Sequence, residues 1–229
     1  MTKNIINIGL PSKGRLKHDT INIFKKNKLN ICSERGERDL FGYIKKILNI
    51  KIIYLHAREC IEQLSLGNID IGFSGYDLFK ESEVNVQNKI LIRKKYNFGN
   101  ANLVLAIPDL WIDVQTLLDL DEVADEFKKK KKRLLRVATK YPNLTRQFLY
   151  SKGVTQFQLV QSLGSTEVSP FTGTAEVISD ITSSGATLKA NNLRILKDGE
   201  ILKSQACLMI SKLSSKKTGI KKIINLLSG

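Results

Sequence analysis

The chain has 229 residues and a formal net charge of +15, and 42% of its residues are hydrophobic. That length allows one large domain or two small ones, and the composition is typical of a globular rather than a disordered protein. The apolar runs fall far short of the roughly 20 residues that span a bilayer. The N-terminus lacks the long apolar segment of a secretory signal, and the three cysteines are scattered, so a cytoplasmic protein with reduced thiols is expected.

The excess of lysine and arginine leaves two explanations open. A basic chain suggests a polyanionic partner, either nucleic acid, an anionic membrane or a phosphorylated substrate. Alternatively, the basic residues simply cover the surface, which their spread along the chain favours outside the run from Lys128 to Arg133. Nucleic-acid binding has no support beyond charge, because basic and aromatic residues do not interleave. We therefore expect neither nucleic acid nor a membrane as a partner.

Short strand-like runs alternate with amphipathic helical patterns from the N-terminus onwards. In the first part, strands are predicted at residues 4–10, 50–55 and 69–73. A helix follows the first strand, because Leu16, Thr20, Ile23 and Phe24 fall on one helical face, and another spans 59–66 and ends at Gly67. This alternation predicts an α/β fold with largely parallel strands.

From about residue 101 the same pattern restarts, which predicts a second α/β unit. Its strands are predicted at 103–107, 135–139, 157–161 and 177–181, and its helices at 117–127 and 143–152. A hairpin is predicted between residues 193–196 and 206–210, with its turn at Asp198 and Gly199, before a closing helix. The predicted domains are 1–93 with a return segment 210–229, and 94–209, with a cleft between them.

The most distinctive stretch reads Asp180-Ile-Thr-Ser-Ser-Gly-Ala-Thr-Leu188. A strand-like run stops here at hydroxyl residues and a glycine, and helix-forming residues follow. The first N–H groups of a helix lack intrahelical partners, so a phosphate binds readily at such a junction. Gly185 would let the backbone approach a ligand closely, and hydrogen bonds could come from the hydroxyls of Thr182, Ser183, Ser184 and Thr187. Asp180 could hold ribose hydroxyls or a metal ion. The alternative is an ordinary N-capped helix, since serine and threonine are good caps.

Four further stretches accompany this loop in a fixed order: Gly9-Leu-Pro-Ser-Lys-Gly-Arg-Leu16, Asp70-Ile-Gly-Phe-Ser-Gly-Tyr-Asp-Leu78, Arg136-Val-Ala-Thr-Lys-Tyr-Pro142 and Gly164-Ser-Thr-Glu-Val-Ser-Pro170. Together the five resemble the short-form ATP phosphoribosyltransferases, which catalyse the first step of histidine biosynthesis. The family's regulatory C-terminal domain has no counterpart here, which is why the short form is expected. Members of that form work with a separate regulatory subunit resembling histidyl-tRNA synthetase.

The resemblance implies a two-domain α/β fold like that of type II periplasmic binding proteins, with the active site in the interdomain cleft and Mg²⁺ assisting. N1 of the ATP adenine would attack C1 of the ribose of phosphoribosyl pyrophosphate (PRPP), and pyrophosphate would leave. Because the attacking nitrogen is weakly basic, catalysis should depend on positioning and on stabilising the developing charge.

The resemblance also assigns roles to individual residues. The expected catalytic residues are Lys13, Arg15, Arg38 and Arg58. The expected PRPP contacts are Glu167, Asp180, Thr182, Ser183, Ser184, Gly185, Ala186 and Thr187. The expected ATP contacts are Lys13, Arg15, Asp70, Gly75, Asp77, Lys140 and Tyr141. Mg²⁺ is expected to be bound through the substrate phosphates, with Asp180 as a candidate ligand.

The chain departs from the family's pattern in two short motifs. His56 stands where the family usually has an arginine, so either Arg58 acts from a shifted position or Arg38 alone faces the leaving group. The motif Gly173-Thr-Ala-Glu176 replaces the family's Gly-Leu-Ala-Asp. Glutamate keeps the negative charge of the family's aspartate but carries it on a longer side chain.

Two questions stay open at the level of the sequence. The segment 111–133 is longer than a minimal connection, and it is either a partner-docking element or a solvated insert. A bilobed protein that binds or senses a small molecule without catalysis is the alternative function.

Overall fold

The computed structural model describes residues 5–33, 36, 39–45 and 47–228 of the chain. The chain divides into two compact units: unit 1 comprises Met1–Asn100 and Gln205–Gly229, and unit 2 comprises Ala101–Ser204. Among the described residues, every helix is too short or too polar to cross a membrane.

The strands are, in chain order, Ile6–Pro11 (β1), Ile31–Cys32 (β2), Phe41–Ile44 (β3), Ile47–Leu55 (β4), Ile71–Gly75 (β5), Ile90–Lys95 (β6), Ala101–Pro108 (β7), Leu135–Thr139 (β8), Phe157–Gln161 (β9), Val177–Thr182 (β10), Leu193–Ser204 (β11) and Ala206–Ser211 (β12). The helices are Gly14–Lys26 (α1), Ala57–Leu66 (α2), Tyr76–Glu81 (α3), Val84–Gln87 (α4), Leu117–Lys131 (α5), Pro142–Ser151 (α6), Ala186–Ala190 (α7) and Ile220–Ser228 (α8).

Unit 1 is built on a seven-stranded sheet with the order β2-β3-β4-β1-β5-β12-β6. Strand β1 lies parallel to β4 and β5, whereas β12 lies antiparallel to β5 and β6. Apolar clusters cover both faces of the central strands: one includes Phe24 of α1 and Ile223 of α8, and the other includes Leu64 of α2. Burial on both faces explains why these strands read as nearly continuous apolar runs.

Unit 2 is built on a five-stranded sheet with the order β11-β7-β10-β8-β9. Strand β8 lies parallel to β9 and β10, while β7 is antiparallel to β10 and β11. The predicted apolar face of α5 is confirmed, because its side chains at Leu117, Leu120, Ala124 and Phe127 are buried. The segment 111–133 therefore contributes to the core of unit 2 through α5, and the interpretation of this helix as a solvated insert is wrong.

The predicted hairpin between residues 193–196 and 206–210 is wrong. Strand β11 continues through Asp198 and Gly199 and pairs with β7 in unit 2, whereas β12 belongs to the sheet of unit 1. The Asp198 carboxylate accepts a hydrogen bond from the N–H of Leu117 at 2.9 Å, at the start of α5. The local irregularity of β11, between Ile195 and Glu200, accommodates the Asp-Gly pair without reversing the chain.

The fold class itself is confirmed as α/β in two units. The expectation of largely parallel strands holds only in part, because both sheets are mixed. Parallel pairs join β1 to β4 and β5 in unit 1, and β8 to β9 and β10 in unit 2. The strands that flank these parallel groups are antiparallel to them.

Candidate phosphate-binding site

The predicted phosphate loop follows β10, next to the carboxyl end of its parallel neighbour β8. Ser179 of β10 is in register with Thr139, the last residue of β8. Asp180, the next residue of β10, therefore lies beside Lys140, which follows β8 directly. Their side chains form an ion pair, with 3.6 Å between Lys140 Nζ and Asp180 Oδ2. Ligands of α/β proteins bind at the carboxyl ends of parallel strands, which is where this pair lies.

Buried hydroxyl groups next to this pair are linked by hydrogen bonds. The N–H of Tyr141 donates to Thr139 Oγ1 at 2.9 Å, and Thr139 Oγ1 is 3.3 Å from Thr145 Oγ1. The Thr145 hydroxyl donates in turn to Ser179 Oγ at 2.8 Å. Thr139, Thr145 and Ser179 are all buried, so these bonds join β8, α6 and β10 in a low-dielectric environment. They thereby hold in place the backbone that carries Lys140 and Asp180.

The loop itself combines a cap with exposed hydroxyl groups. The Thr182 hydroxyl oxygen accepts from the N–H of Gly185 at 2.9 Å, which leaves its own O–H able to donate. Gly185 has φ +75°, a left-handed conformation that other residues rarely adopt, and a Cβ there would meet nothing within 4 Å. The side chains of Ser183, Ser184 and Thr187 are exposed, beyond what capping requires.

Helix α7, which follows the loop, is only five residues long. Its dipole is therefore weaker than the helix-start argument assumes, since the dipole is a sum over aligned peptide units. Local N–H groups and hydroxyls are the main donors that this loop offers to an anion.

Glu167 lies close to the same strand. It is half-buried in a single 3-10 turn, Thr166–Val168, which packs against β10. The hydroxyls of Thr166 and Ser162 lie 3.0 Å apart and hold the turn to the end of β9. Its place in unit 2 is compatible with the predicted PRPP contact.

Glu176 lies at the opposite, amino end of β10 and is already saturated with partners. Its carboxylate accepts from Arg136 Nη2 at 2.6 Å, from the Arg136 N–H at 2.9 Å and from Arg133 Nη2 at 3.0 Å. Burial alone would raise the pKa of Glu176, but the hydrogen bonds from Arg136 and Arg133 outweigh burial and lower it to about 2. The residue that replaces the family's aspartate therefore joins β8 to β10.

In unit 1, Lys13 and Arg15 lie at the start of α1. Lys13 is the N-cap residue, and both side chains are exposed. The N–H of Ser12 donates to the Leu55 carbonyl at 2.8 Å, which joins the carboxyl ends of β1 and β4. A cavity of about 480 Å³ extends from Lys13 along one face of α1, and further lining comes from Lys17, His18, Lys25 and Tyr54.

His56 and Arg58 begin helix α2. His56 is the N-cap residue, and its Nδ1 accepts from the N–H of Arg58 at 3.4 Å. The imidazole thus satisfies one of the unpaired N–H groups of the helix start, and the side chains of both residues are exposed. Arg38, the other arginine predicted to face the leaving group, lies outside the described residues.

Asp70 precedes β5, whereas Gly75 is its last residue and Asp77 follows it, so the predicted ATP-binding residues lie at opposite ends of one strand. The buried Asp70 carboxylate accepts from the Asn7 N–H at 2.7 Å and from Lys217 Nζ at 2.9 Å. It therefore joins β1, β5 and the segment before α8. At the other end, a Cβ on Gly75 would come within 2.2 Å of an Asp77 carboxylate oxygen, so a larger residue there would displace the Asp77 side chain.

The structure thus groups the predicted residues of each unit separately. Unit 2 brings together Lys140, Tyr141, Asp180 and the 182–187 loop. In unit 1 the starts of α1, α2 and α3 all follow the carboxyl ends of β1, β4 and β5, and Asp70 is separate from them. Sequence reasoning missed the buried hydroxyls at positions 139, 145 and 179. For Thr139 and Ser179, a polar residue inside an otherwise apolar strand was the available signal.

Comparisons with known proteins place the chain in one family. The family model described as HisG: ATP phosphoribosyltransferase matches residues 56–229. An ATP phosphoribosyltransferase from Nitrobacter winogradskyi is 46% identical over 212 residues, and one from Chelativorans sp. is 42% identical over 208 residues. The alignment covers 93% of the chain and 65% of the first relative, and 90% of both proteins for the second. The chain thus spans about two thirds of the length of the Nitrobacter relative.

Solved structures agree with the fold. The ATP phosphoribosyl transferase (HisG:HisZ) complex from Thermotoga maritima aligns with a TM-score of 0.73 at 24% identity, over 97% of this chain and 96% of that one. The substrate binding protein of an amino acid ABC transporter aligns with a TM-score of 0.56 at 13% identity, over 98% of this chain and 90% of that one. At these identities the likeness concerns the fold alone. The family match and the relatives nevertheless agree: the chain belongs to the HisG family of ATP phosphoribosyltransferases.

Proposed function

We propose that the chain transfers the phosphoribosyl group of PRPP to N1 of ATP and releases pyrophosphate, the first step of histidine biosynthesis. One observation carries the proposal: in a chain of this family, the Lys140–Asp180 pair and the 182–187 loop meet at the carboxyl ends of β8 and β10. An anion-binding loop beside a carboxylate suits a phosphorylated ribose, which presents both a phosphate and hydroxyl groups.

PRPP would bind to unit 2 through this loop. The 5-phosphate would accept hydrogen bonds from the loop N–H groups, including that of Ala186, and from the exposed hydroxyls of Ser183, Ser184 and Thr187. Asp180 and Glu167 would accept hydrogen bonds from the ribose hydroxyls. Gly185 supports this arrangement because the space where its Cβ would stand is open.

The chemistry is a displacement at C1 of the ribose. The bond from C1 to the pyrophosphate oxygen breaks and its electron pair leaves with pyrophosphate, while the lone pair of adenine N1 forms the new C1–N bond. The ribose gains positive character as the leaving group gains negative charge. Fixed donors and cations that meet this charge in the transition state supply the catalysis, together with alignment of the two substrates.

The cations of the chain would divide between the two substrates. Lys140 and Tyr141 would contact ATP, as would Gly75 and Asp77 near the start of α3. Lys13 and Arg15, at the start of α1, would bind substrate phosphates. Arg58 and Arg38 would face the leaving pyrophosphate. Asp70 is not included, since its carboxylate is buried and bonded to Asn7 and Lys217.

We infer that Mg²⁺ assists. Magnesium usually binds to substrate phosphates, with one or two protein carboxylates, and keeps several waters. Asp180 fits the part of such a carboxylate, since it lies beside the loop and its Oδ2 is 3.6 Å from Lys140 Nζ, longer than a strong hydrogen bond. When bound, Mg²⁺ would neutralise charge on the departing pyrophosphate.

We also infer a cytoplasmic location and a hetero-oligomer with a regulatory subunit that resembles histidyl-tRNA synthetase. The Thermotoga structure is that of a HisG:HisZ complex, which supports a partner of this kind. The alternative, a binding or sensing protein without catalysis, has only the fold likeness to transporter binding proteins in its favour, at 13% identity. The 42% identity to the Chelativorans enzyme, over 90% of both chains, favours catalysis.

An assay of the purified chain tests the proposal. PRPP, ATP and MgCl₂ are incubated with the chain, with and without the regulatory subunit of the same organism, and N1-phosphoribosyl-ATP is quantified by mass spectrometry. We expect slow formation by the chain alone and faster formation with the subunit. Absence of the product under both conditions, with PRPP still bound in calorimetry, would favour the binding protein instead.

A further inference from the structure

Two large apolar side chains project from a well-anchored turn in unit 2. Leu110 is 85% exposed and Ile112 is 74% exposed, between β7 and α5. The turn is held by its own backbone bonds, since the N–H of Val114 donates to the Trp111 carbonyl at 3.1 Å. Arg194 of β11 donates to the carbonyl oxygens of both Trp111 and Val114 at 2.5 Å. The exposed side chains are therefore presented by an ordered turn.

The turn and helix α5 together form a groove of about 410 Å³. On the helix side, its lining residues are Val123, Phe127 and Lys131, which are four residues apart and so share one face. The rings of Trp111 and Phe127, with centroids 6.4 Å apart, connect the turn to the helix. The centre of the groove is thus apolar and aromatic.

One end of the groove is cationic. Lys131 Nζ lies 4.0 Å from the centroid of the Phe127 ring, and the Arg133 guanidinium lies 4.9 Å from it. Lys128 and Lys132 are exposed nearby at the end of α5. Two acidic residues on the same helix, Asp125 and Glu126, pair with Lys129 and Lys130 at 3.9 and 3.0 Å. Arg133 is also paired with Glu176, at 3.0 Å, and Asp113 lines the turn side of the groove. The lysines at positions 128, 131 and 132 therefore supply most of the positive field that an acidic group beside Lys131 would meet.

We propose that this groove binds a partner protein through a segment that carries apolar side chains next to acidic ones. Exposed apolar patches bordered by charge mark interaction sites in soluble proteins. The apolar centre accounts for the aliphatic side chains of the partner, and the cationic end accounts for its acidic ones and for its orientation. The groove is lined mainly by apolar side chains, so it differs from the phosphate loop in the ligand that it suits.

Trp111 provides a direct readout, because it is the only tryptophan of the chain. The probe is a tryptophan-free peptide of about twelve residues with leucines at i, i+3, i+4 and i+7 and glutamates elsewhere, the spacing that gives one apolar helical face. We expect saturable changes in Trp111 emission that weaken as salt rises, since the Debye length shortens. A peptide with lysine in place of every glutamate should bind at least about tenfold more weakly, the factor given by 1.4 kcal/mol.

Variants locate the binding on this surface. Leu110→Ser with Ile112→Ser should weaken binding about tenfold or more, because two exposed aliphatic side chains no longer contribute buried area. Lys131→Glu should weaken binding of the glutamate peptide and strengthen that of the lysine peptide. The matched controls are Leu163→Ser, at a residue that is 89% exposed, and Lys152→Glu, at an exposed lysine that follows α6. Both controls should bind the glutamate peptide as the unchanged chain does.

Four results would overturn the proposal. The first is no saturable binding of the glutamate peptide, and the second is equal binding of both peptides. The third is binding that the control variants weaken as much as the groove variants do. The fourth is occupation by another class of partner: concentration-dependent self-association, or binding to anionic lipid vesicles, that Ile112→Ser abolishes while peptide binding is unaffected.

Discussion

The two ends of the β8–β10 strand pair carry similar charges in very different surroundings. At the amino end, Glu176 receives hydrogen bonds from Arg133, from the Arg136 guanidinium and from a backbone N–H, the shortest at 2.6 Å. At the carboxyl end, Asp180 and Lys140 are 3.6 Å apart, beside a loop of exposed hydroxyl residues. The same two strands thus hold a saturated ion pair and a loose one.

The number of hydrogen bonds that each carboxylate already accepts distinguishes a structural carboxylate, Glu176, from a candidate for ligand binding, Asp180. A saturated carboxylate has little capacity left for a substrate, and its partners would lose compensation if it turned away. Asp180 has one oxygen bonded to the N–H of Ile181 at 2.7 Å and the other within 3.6 Å of Lys140 Nζ. A carboxylate oxygen has two lone pairs, so this arrangement can accept further hydrogen bonds or a cation.

The largest effect is expected for Gly185→Val, which tests whether the loop at the carboxyl end of the β8–β10 pair binds PRPP. A β-branched residue at φ +75° is strained, and its side chain would extend into the open space of the loop. We expect PRPP affinity to fall about a hundredfold or more, equivalent to about 2.7 kcal/mol, in isothermal titration calorimetry. Gly153→Val is the matched control, because Gly153 has φ +86° and equally open space at the end of α6. Equal loss in both variants would remove the loop from PRPP binding.

Asp180→Asn should lower kcat/KM by about 10² while the protein stays folded. The amide oxygen can still accept from Ile181, but the negative charge proposed to face the ribose or Mg²⁺ is lost. Steady-state kinetics at several Mg²⁺ concentrations measure the change. Lys140→Met and the double variant complete a cycle that reports the coupling of the two side chains. Unchanged kcat/KM in Asp180→Asn would place Asp180 with the structural carboxylates.

Asp70→Asn should reduce stability and leave ATP affinity unchanged, which extends the comparison to unit 1. The substitution weakens charge-assisted bonds from Asn7 and Lys217, each worth about 1.5–3 kcal/mol. Urea unfolding should therefore show a loss of about 2 kcal/mol. Asp121→Asn, at a half-exposed position of α5, is the control and should change little. A selective loss of ATP binding with normal stability would return Asp70 to the nucleotide site.

Glu176 should make stability depend on acid pH. Its pKa in the folded protein is about 2, below the ordinary 4.5, so its stabilising contribution is complete above pH 4.5 and is lost as pH falls toward 2. After allowance for solvent screening of the partly exposed arginines, we expect a contribution of about 2 kcal/mol. Glu176→Gln should remove the dependence that this residue adds between pH 4.5 and pH 2 in thermal unfolding. A profile that matches the unchanged chain throughout this window would contradict the assignment.

Much of the fold follows from apolar runs, and the failures have local causes. Strands such as β5, β8 and β10 were predictable because both of their faces are buried. Strand β3 was missed because Phe41 and Tyr43 are exposed, so its alternating pattern is weak. The Asp198–Gly199 pair predicts a turn by itself, but its hydrogen bond to the start of α5 favours a continuous strand.

The candidate site was partly predictable. The loop after β10 could be located, because a glycine among hydroxyl residues has a clear chemistry. The pairing of Lys140 with Asp180 depends on the register of two strands far apart in sequence, which spacing does not give. Asp70 illustrates the opposite problem: a motif joined it to Asp77, although one precedes and the other follows β5. The residues that contact substrate, and the domain boundaries at 93/94 and 209/210, stay predictions.

The position of β12 also sets the order in which the chain can complete its folding during synthesis. All residues of unit 2 have been synthesised when the ribosome has added Ser204, whose register partner in β7 is Ala101. The sheet of unit 1 is still open at that moment, since β12 pairs with both β5 and β6 and all its residues are buried. The sheet of unit 1, most of which is synthesised first, is therefore completed last. Until then β5 and β6 leave unpaired the backbone N–H and C=O groups that β12 will bond, and other strands can pair with them.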